Sequence, residues 1–424
     1  MSAVLEQPYW QVTAPRPTLP LERELPERTD VAVIGGGYTG VSAARTIARH
    51  GLDVTVLEAE TLGWGASTRN GGFVLPGFKL GAAALLRRFG PERARALYDA
   101  SRESLHFVER LVSDEDIACE LRRCGHVSLA SRPSHYRRLA ESQALHAHAF
   151  AHETTLVPVH RLGEVIGSSM YHGALLDPEA WSLHPAKFFW GLAAAAHRSG
   201  ARLLEHTPVQ SVRRVADGFA LDTRGRQLRA RELIVATNGY SGPAHPALRR
   251  RIIPLGSYLI ATAPLRNSLA EALIPAARVL SDTKNLLFYF RLSEDRRLLF
   301  GGRVAFGPTT PAESARHLAA GMRAVFPQLR DVQVEYTWSG KVAFTLDQLP
   351  HAGVWDGVHY ALGYCGHGVA MATYLGARLG AKLAGRGDLL PFSELEFPLV
   401  PLYDGRPWFL PLVGAWYRIV DRLG

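Results

Sequence analysis

Cysteine is scarce: the 424 residues hold three, Cys119, Cys124 and Cys365. A number that small and odd argues against a disulfide framework and fits a reducing compartment, so the expected location is cytoplasmic. No Cys-x-x-Cys and no Gly-x-Ser-x-Gly occurs, which leaves dithiol redox chemistry and a serine hydrolase of that type without support. The first residues, MSAVLEQPYWQVTAPRP, lack a basic stretch followed by an apolar run, so no secretory signal is read there. No run of about 18 uninterrupted apolar residues exists, and no spanning helix is expected. The apolar stretch PWFLPLVGAWYRIV near the end is broken by two prolines and an arginine. It is expected to pack on the body, with a surface-associating tail as the alternative, and membrane association is not expected. There is no low-complexity tract and no fixed-period repeat.

What remains is ordinary globular composition, 47% hydrophobic and 21% charged, on a chain long enough for more than one domain. The formal net charge is +9, carried almost entirely by arginine in short clusters such as Arg249-Arg250-Arg251. Scattered base of this kind aids solubility and attracts acidic ligands. With no nucleic-acid-reading motif beside it, no nucleic-acid partner is expected. His146, His148 and His152 crowd one stretch, and His148 and His152 lie four apart on one helical face. No acidic or cysteine partner accompanies them, so no metal site is expected.

Residues 1–29 are proline-rich and read as an extended arm. Val31–Ile34 is a continuous apolar strand. A glycine turn follows, then an amphipathic helix from about Tyr38 to His50 and a second apolar strand, Val54–Leu57. This is a βαβ unit with buried parallel strands. Helices are expected over 91–112, 133–152 and 184–200, and strands over Val209–Val215, Phe219–Thr223 and Glu232–Ala236. From 251 to 305 the pattern is all strand, with a hairpin turn at Ser293–Arg297, and a last helix runs from Gly368 to Leu383. Parallel-strand pieces at the start, middle and end enclose strand-rich inserts. The expectation is an α/β (α+β) fold with two interleaved domains, one Rossmann-like and one an antiparallel sheet that covers a substrate. The boundaries drawn are an arm at 1–29, a dinucleotide domain at 30–90, 160–248 and 336–390, a substrate domain at 91–159 and 249–335, and a tail at 391–424.

Gly35-x-Gly37-x-x-Gly40 sits directly after the first strand and opens the helix with Tyr38 and Thr39. Gly35 allows the tight turn, Gly37 lets backbone approach a pyrophosphate, and Gly40 lets helix and strand pack closely. The helix N-terminus then faces the phosphate charge. Glu58, followed by Ala59, ends the next strand, where a carboxylate can take both hydroxyls of a ribose. To this point NAD and FAD fit equally. The stretch GWGASTRNGGF separates them, because Gly65, Ala66, Ser67, Thr68, Arg69, Asn70, Gly71 and Gly72 offer backbone N–H groups to the second half of a long cofactor. A plain NAD unit needs no such loop. Later, Gly363, Gly366, His367, Gly368 and Val369 open another helix, whose positive end suits the edge of a flavin that becomes negative on reduction. Ala236, Thr237 and Asn238 form a small-residue strand exit suited to close passage of a cofactor, and Val209 completes the expected cradle.

These motifs, with YW in the arm, LEA before the serine loop, DPEAWSLHPAKF, ATNGY, FRLSEDRRLLFGGR and GYCGHGVA, carry a resemblance spread over most of the chain. The sequence resembles the glycine/D-amino-acid oxidase (DAO) superfamily of FAD-dependent oxidoreductases, and within it is most similar to the gamma-glutamylputrescine oxidase type. The resemblance implies a two-domain fold with an antiparallel sheet over the reactive face of FAD. It also implies oxidation of a small amine's C–N bond to an imine that hydrolyses, with O2 reoxidising the cofactor to give H2O2. No dedicated base is required if the amine arrives unprotonated. Thr68 stands where that type has glycine. Arg69 and Asn70 replace the flavin-linking histidine of dimethylglycine-dehydrogenase relatives, and Val342 replaces the flavin-linking cysteine of monomeric sarcosine oxidase, so FAD is expected to be non-covalent. Ala370 replaces the sarcosine oxidase lysine that holds a substrate carboxylate. Arg291 is the candidate anchor for an anionic substrate group, with Tyr289, Tyr258 and His367 as further candidates around the reacting centre. By alternation Tyr289 and Arg291 share one face, and Phe288 and Phe290 the other. The rival readings are an amine dehydrogenase of the same fold, passing electrons to a quinone or carrier, and a non-catalytic flavin-binding protein. The substrate amine and the oligomeric state are not read from the sequence.

Overall fold

A computed structural model describes residues 4–22, 24–302 and 309–423. Its first sheet is built around five parallel strands in the order Arg202–Leu204, Val54–Leu57, Arg28–Ile34, Arg226–Val235 and Val358–Leu362. The buried runs Val31–Ile34 and Val54–Leu57 have apolar side chains on both faces, as strands covered on two sides require. The long strand Arg226–Val235 also pairs antiparallel with Gly218–Thr223, which pairs with Val209–Val215. On one face lie the helices Tyr38–Arg49, Pro185–Arg198 and Gly368–Leu383. On the other, Ala32, Ile34, Leu221, Leu233 and Phe397 form a second core.

The second sheet has eight strands in the order Val334–Phe344, Ile253–Thr262, Leu298–Gly302, Phe288–Leu292, Val279–Asp282, His126–Leu129, Ala174–Asp177 and Thr155–Val157. Neighbours run antiparallel except Val279–Asp282 beside His126–Leu129. Helix Pro311–Val325 covers one face, burying Leu318, Met322 and Val325 against Phe290 and Phe300. The other face carries Leu259, Ala261, Leu299 and Trp338, and packs on Tyr9 and Trp10 of the arm.

Several expectations shift. The arm is not simply extended: Tyr9–Thr13 forms one helical turn, and Tyr9 and Trp10 are buried. The expected helix over 91–112 belongs to Ala82–Asp114, broken at Gly90, whose φ of 74° no α-helix allows; Pro91 starts the second segment. Its apolar face sits in the core of the first sheet, whereas 91–159 was read as part of the substrate domain. Strands Ala174–Asp177 and Val334–Phe344, drawn wholly or mostly within dinucleotide-domain spans, pair in the second sheet. The span 251 to 305 is not all strand, because Asn267–Leu273 is helical and connects the strands Ile253–Thr262 and Val279–Asp282. The end of that span, 303 to 305, lies outside the described residues. The hairpin turn is present, with Ser293 and Arg297 closing it through the Ser293 N–H and Arg297 carbonyl.

Candidate active site

Ile34, Leu57, Val235 and Leu362 end four of the five parallel strands, and the chain leaves each at the same edge. A cavity of about 460 Å³ opens there. Such a crevice at the carboxyl ends of parallel strands is where ligands of this sheet type bind. The glycine turn forms its floor. Gly35 has φ +108°, and a Cβ on it would stand 2.9 Å from the Ala236 carbonyl oxygen. A Cβ on Gly40 would lie 1.9 Å from the Gly35 oxygen, so helix and turn touch through bare backbone. On Gly37 a Cβ would meet Ser67 Oγ at 2.9 Å and fill the cradle. Ser67 Oγ accepts the Tyr38 N–H at 3.0 Å, tying the helix to the serine loop.

Two helix N-termini face this cavity. Helix Tyr38–Arg49 starts at Gly37 and helix Gly368–Leu383 at His367, and neither has a side-chain cap. Gly37, Tyr38 and Thr39 line the cavity from one side; Gly366, Gly368, Val369 and Ala372 line it from another. Uncapped N-termini leave N–H donors and a positive end for an anion. The two helices come this close because Gly376 and Gly380 pack on the Thr39 and Ala43 carbonyls, where Cβ atoms would stand at 2.3 and 2.7 Å. Glu58 closes the far end. Its carboxylate accepts the Gly36 N–H at 2.7 Å and the Glu60 N–H at 2.9 Å. Burial pushes its pKa up against these hydrogen bonds.

Of the residues expected to cradle a cofactor, Gly35, Gly37, Tyr38, Thr39, Glu58, Ala59, Gly65, Ala66, Ser67, Asn70, Val209, Ala236, Thr237, Asn238, Gly366, Gly368 and Val369 line this one cavity. Gly40, Thr68, Arg69, Gly71, Gly72, Gly363 and His367 are not part of its lining. Thr68 Oγ1 donates to the Gly63 carbonyl and accepts the Gln11 Nε2–H at 2.7 Å, so the hydroxyl that replaces a glycine fastens the arm to the loop. Arg69 donates to the Trp64 carbonyl and lies over the Trp64 ring. Asn70 Oδ1 accepts the Gly72 N–H, and its amide donates to the Ala66 and Ser67 carbonyls, winding the loop on itself. Gly363 donates its N–H to Asn238 Oδ1 at 2.9 Å. The sequence reading missed Gly36, Trp64, Tyr240, Lys341, Tyr364 and Cys365 as lining. Tyr364 had a signal, standing inside the late glycine turn; its hydroxyl meets Thr39 Oγ1 at 2.6 Å. Tyr240 had one as well, closing the ATNGY motif at the strand exit; Lys341 had none, because a strand of the second sheet brings it in, with the Tyr240 hydroxyl accepting the Lys341 N–H.

The four candidates for the reacting centre separate. Tyr289 and Arg291 do share a face, and it is the one turned to the serine loop: a Cβ on Gly71 would stand 3.1 Å from the Tyr289 ring, and Arg291 Nη1 donates to the Gly72 and Leu183 carbonyls at 3.0 and 2.8 Å. Phe288 and Phe290 pack under helix Pro311–Val325. Arg291 is buried, donates from Nε to the Leu292 carbonyl, and lies over the Trp10 ring; burial pulls its pKa down to about 10. These bonds make it a brace of the loop, with its guanidinium turned to backbone carbonyls. Tyr258 has the parity of Ile260, so its side chain packs with the core under helix Pro311–Val325, on the face away from Tyr289. Ser257 takes the inward place and meets the Tyr289 hydroxyl at 2.9 Å. His367 is held by its backbone N–H to the Tyr364 carbonyl, while its Nδ1 is buried without a hydrogen-bond partner. Burial, with Lys79 and His126 nearby, lowers its pKa to about 4, so the ring is neutral at pH 7.

His146 and His152 meet ring to ring at 5.9 Å, His148 lies apart from them, and His152 has an acidic partner, which the sequence pattern did not lead one to expect. His152 is buried between the Tyr98 hydroxyl and the Asp177 carboxylate, and His148 faces solvent. Among the described residues no group of three His, Cys, Asp or Glu side chains is placed to hold a metal ion. No described helix is long and apolar enough to cross a membrane.

The profile of a family described as "DAO: FAD dependent oxidoreductase" matches residues 30–382. The chain is 34% identical over 401 residues to a gamma-glutamylputrescine oxidoreductase of Escherichia coli, covering 93% of each chain. It is 32% identical over 426 residues to a probable oxidoreductase of Rhizobium meliloti, covering 98% of this chain and 97% of that one. Among solved structures it is similar to glycine oxidase from Geobacillus kaustophilus, with a TM-score of 0.73 at 22% identity, over 89% of this chain and 99% of the other.

Proposed function

We propose, from the premise that the chain belongs to the DAO family of FAD-dependent oxidoreductases, that it is an amine oxidase acting on a small N-substituted or polyamine-derived amine, with O2 as acceptor. The observation that carries the reading is the meeting of two uncapped helix N-termini and the Glu58 carboxylate around one cavity at the strand ends. The cavity fits the cofactor: Gly37 leaves a bare cradle, and the donors on both sides suit a pyrophosphate and a ring edge that gains negative charge.

In this reading Gly35, Gly37, Tyr38 and Thr39 hold the pyrophosphate, and Glu58 takes the ribose hydroxyls. Ala66, Ser67 and Asn70 carry the chain past it, and Gly366, Gly368 and Val369 present the second helix end. The chemistry FAD would supply here is acceptance of one hydride, which carries both electrons, from the carbon beside the nitrogen as the nitrogen loses a proton; water would then convert the imine to a carbonyl compound and the freed amine, and the two electrons would leave with two protons on O2 as H2O2. Binding stays non-covalent because Arg69, Asn70 and Val342 stand where relatives place a linking side chain. Tyr289 and the neutral His367 orient the substrate, and no charged base is needed for an amine that arrives unprotonated. Arg291 holds the loop from behind. None of the three cysteines is in a disulfide among the described residues, which suits a reducing cytoplasm.

A second reading, a dehydrogenase passing electrons to a lipid-soluble or protein carrier, is favoured by one observation: the exposed apolar face of the last helix. An anaerobic titration with gamma-glutamyl-putrescine, putrescine, sarcosine, glycine and D-amino acids, followed at the flavin band near 450 nm, tests the proposal. Bleaching by an amine, reversed by air with peroxide release, is expected. Bleaching that only an artificial acceptor reverses would transfer the assignment to the dehydrogenase. A yellow protein that nothing bleaches would reject amine oxidation.

A further inference from the structure

The last helix, Leu410–Leu423, wears its apolar stripe on the outside. Leu412 is 70% exposed and Trp416 63% exposed, with Ile419 beyond them at the same helical spacing. Trp408, one turn before Leu412, is also 63% exposed, and Leu402 before it is 91% exposed. The inward side holds the anchors. Leu410 is buried with Leu255, Phe344 and Cys365, and Gly414 is buried one turn later. The far end is fixed by Asp421, whose carboxylate accepts the Asn285 and Leu286 N–H groups. A surface helix that served only to cover its own body would turn Leu412, Trp416 and Ile419 inward. Here both ends are anchored with the bulky residues facing out. A row of two tryptophans with leucine and isoleucine is what an interface helix presents to a bilayer, where an indole ring sits between headgroup and chain.

The surroundings of the stripe are basic. Before the helix, Arg406 and Arg250 are exposed, and Arg250 Nε donates to the Tyr403 carbonyl. At its far end the Arg132 guanidinium donates to the Asp421 carbonyl, with exposed Arg137 and Arg138 on the neighbouring helix that follows. Against these stand Asp404, which accepts the Arg406 N–H, Asp421, which is occupied as described, and Glu141, exposed on the helix of Arg137 and Arg138, so that the arginines still outnumber the acids. On a chain of formal net charge +9, a second copy laid against this face would bring the same basic rim against itself. An anionic lipid surface is complementary to both the rim and the stripe.

We propose that residues 399–421 dock this protein peripherally on an anionic phospholipid surface, with Trp408, Leu412, Trp416 and Ile419 entering the headgroup region and the arginines meeting lipid phosphate. The proposal goes beyond the amine oxidation above and does not depend on which acceptor reoxidises the cofactor.

The test is flotation of the purified, flavin-loaded protein with vesicles of phosphatidylcholine alone or with phosphatidylglycerol added. Binding to the phosphatidylglycerol vesicles at low salt, weakened by high salt, is expected. The pair Trp408→Ala and Trp416→Ala should lower the bound fraction roughly tenfold or more while the flavin absorbance per protein stays unchanged, which shows that the fold is kept. A Leu412→Glu variant provides an independent check in the same direction. Wild-type protein that stays unbound with both vesicles overturns the proposal, as does binding that the stripe variants leave intact. A wild-type dimer in solution that the double variant turns into monomer, with no vesicle binding, would assign the face to a second copy instead.

Discussion

Glu58 shows how a single side chain sets what the cavity accepts. Both carboxylate oxygens are already engaged by backbone N–H groups, Gly36 on one and Glu60 on the other, which fixes the group at the strand end despite its burial. Glu58→Ala removes charge-assisted bonds, and FAD affinity is expected to fall roughly tenfold to hundredfold, measurable by flavin fluorescence on titration into the apoprotein. Arg291 distinguishes two roles by experiment. If it braces the loop through the Gly72 and Leu183 carbonyls, Arg291→Met weakens FAD retention and raises KM by the same factor for amines with and without an anionic group. A rise confined to anionic amines would restore it as a substrate anchor. The residue-level signals in the sequence were strongest where backbone geometry dictates glycine: Gly35, Gly37 and Gly40 need their missing Cβ atoms, and the pattern is readable for that reason. The facing of Tyr258 was not readable, because parity assigns a residue to one of two faces without saying which face meets the cofactor.

At the scale of elements, the helices Tyr38–Arg49 and Gly368–Leu383 were legible from their glycine starts and periodicity. Their contact was not. Gly376 and Gly380 look like weak helix residues in the sequence, and only the partner carbonyls explain them. Gly376→Val should force the helices apart and move both N-termini from the cavity, giving a protein purified without flavin; Gly387→Ala, with an ordinary neighbour at 3.6 Å, serves as a control that keeps it. Helix Pro311–Val325 was missed although its start is marked, since Thr310 and Glu313 form a capping box ahead of Pro311. The arm was read as extended because its prolines dominate the local pattern, yet Trp10 is fully buried and donates to the Asn70 carbonyl at 2.8 Å. Trp10→Ala is expected to cost about 3–5 kcal/mol in urea unfolding and to loosen the serine loop, seen as faster loss of FAD on dilution.

Over the whole molecule, desolvated neutral histidines, His184 buried and His126 and His367 partly so, tie stability to pH. Burial lowers His126 and His367 to about 4 and, with Lys187 and Arg291 adding to it, His184 to about 3. Between those values and the ordinary histidine pKa near 6.5, the unfolded chain binds protons that the folded one refuses. Stability is therefore full above about pH 6.5 and falls as the pH drops toward 4, with a limiting slope of about 1.4 kcal/mol per pH unit for each group. Thermal melts from pH 8 to 4.5 should show this decline, and His126→Asn should flatten it; a melting temperature independent of pH across that window would contradict the burial of these rings. The same molecule is also ordered in time. Leu5 pairs with Tyr336, Trp10 bonds a loop near residue 70, and the central strand Arg28–Ile34 needs Arg226–Val235 beside it. On a ribosome these segments are thus made well before the partners they need, and a chain stopped short of Val358–Leu362 and Gly368–Leu383 holds a cradle with one wall missing.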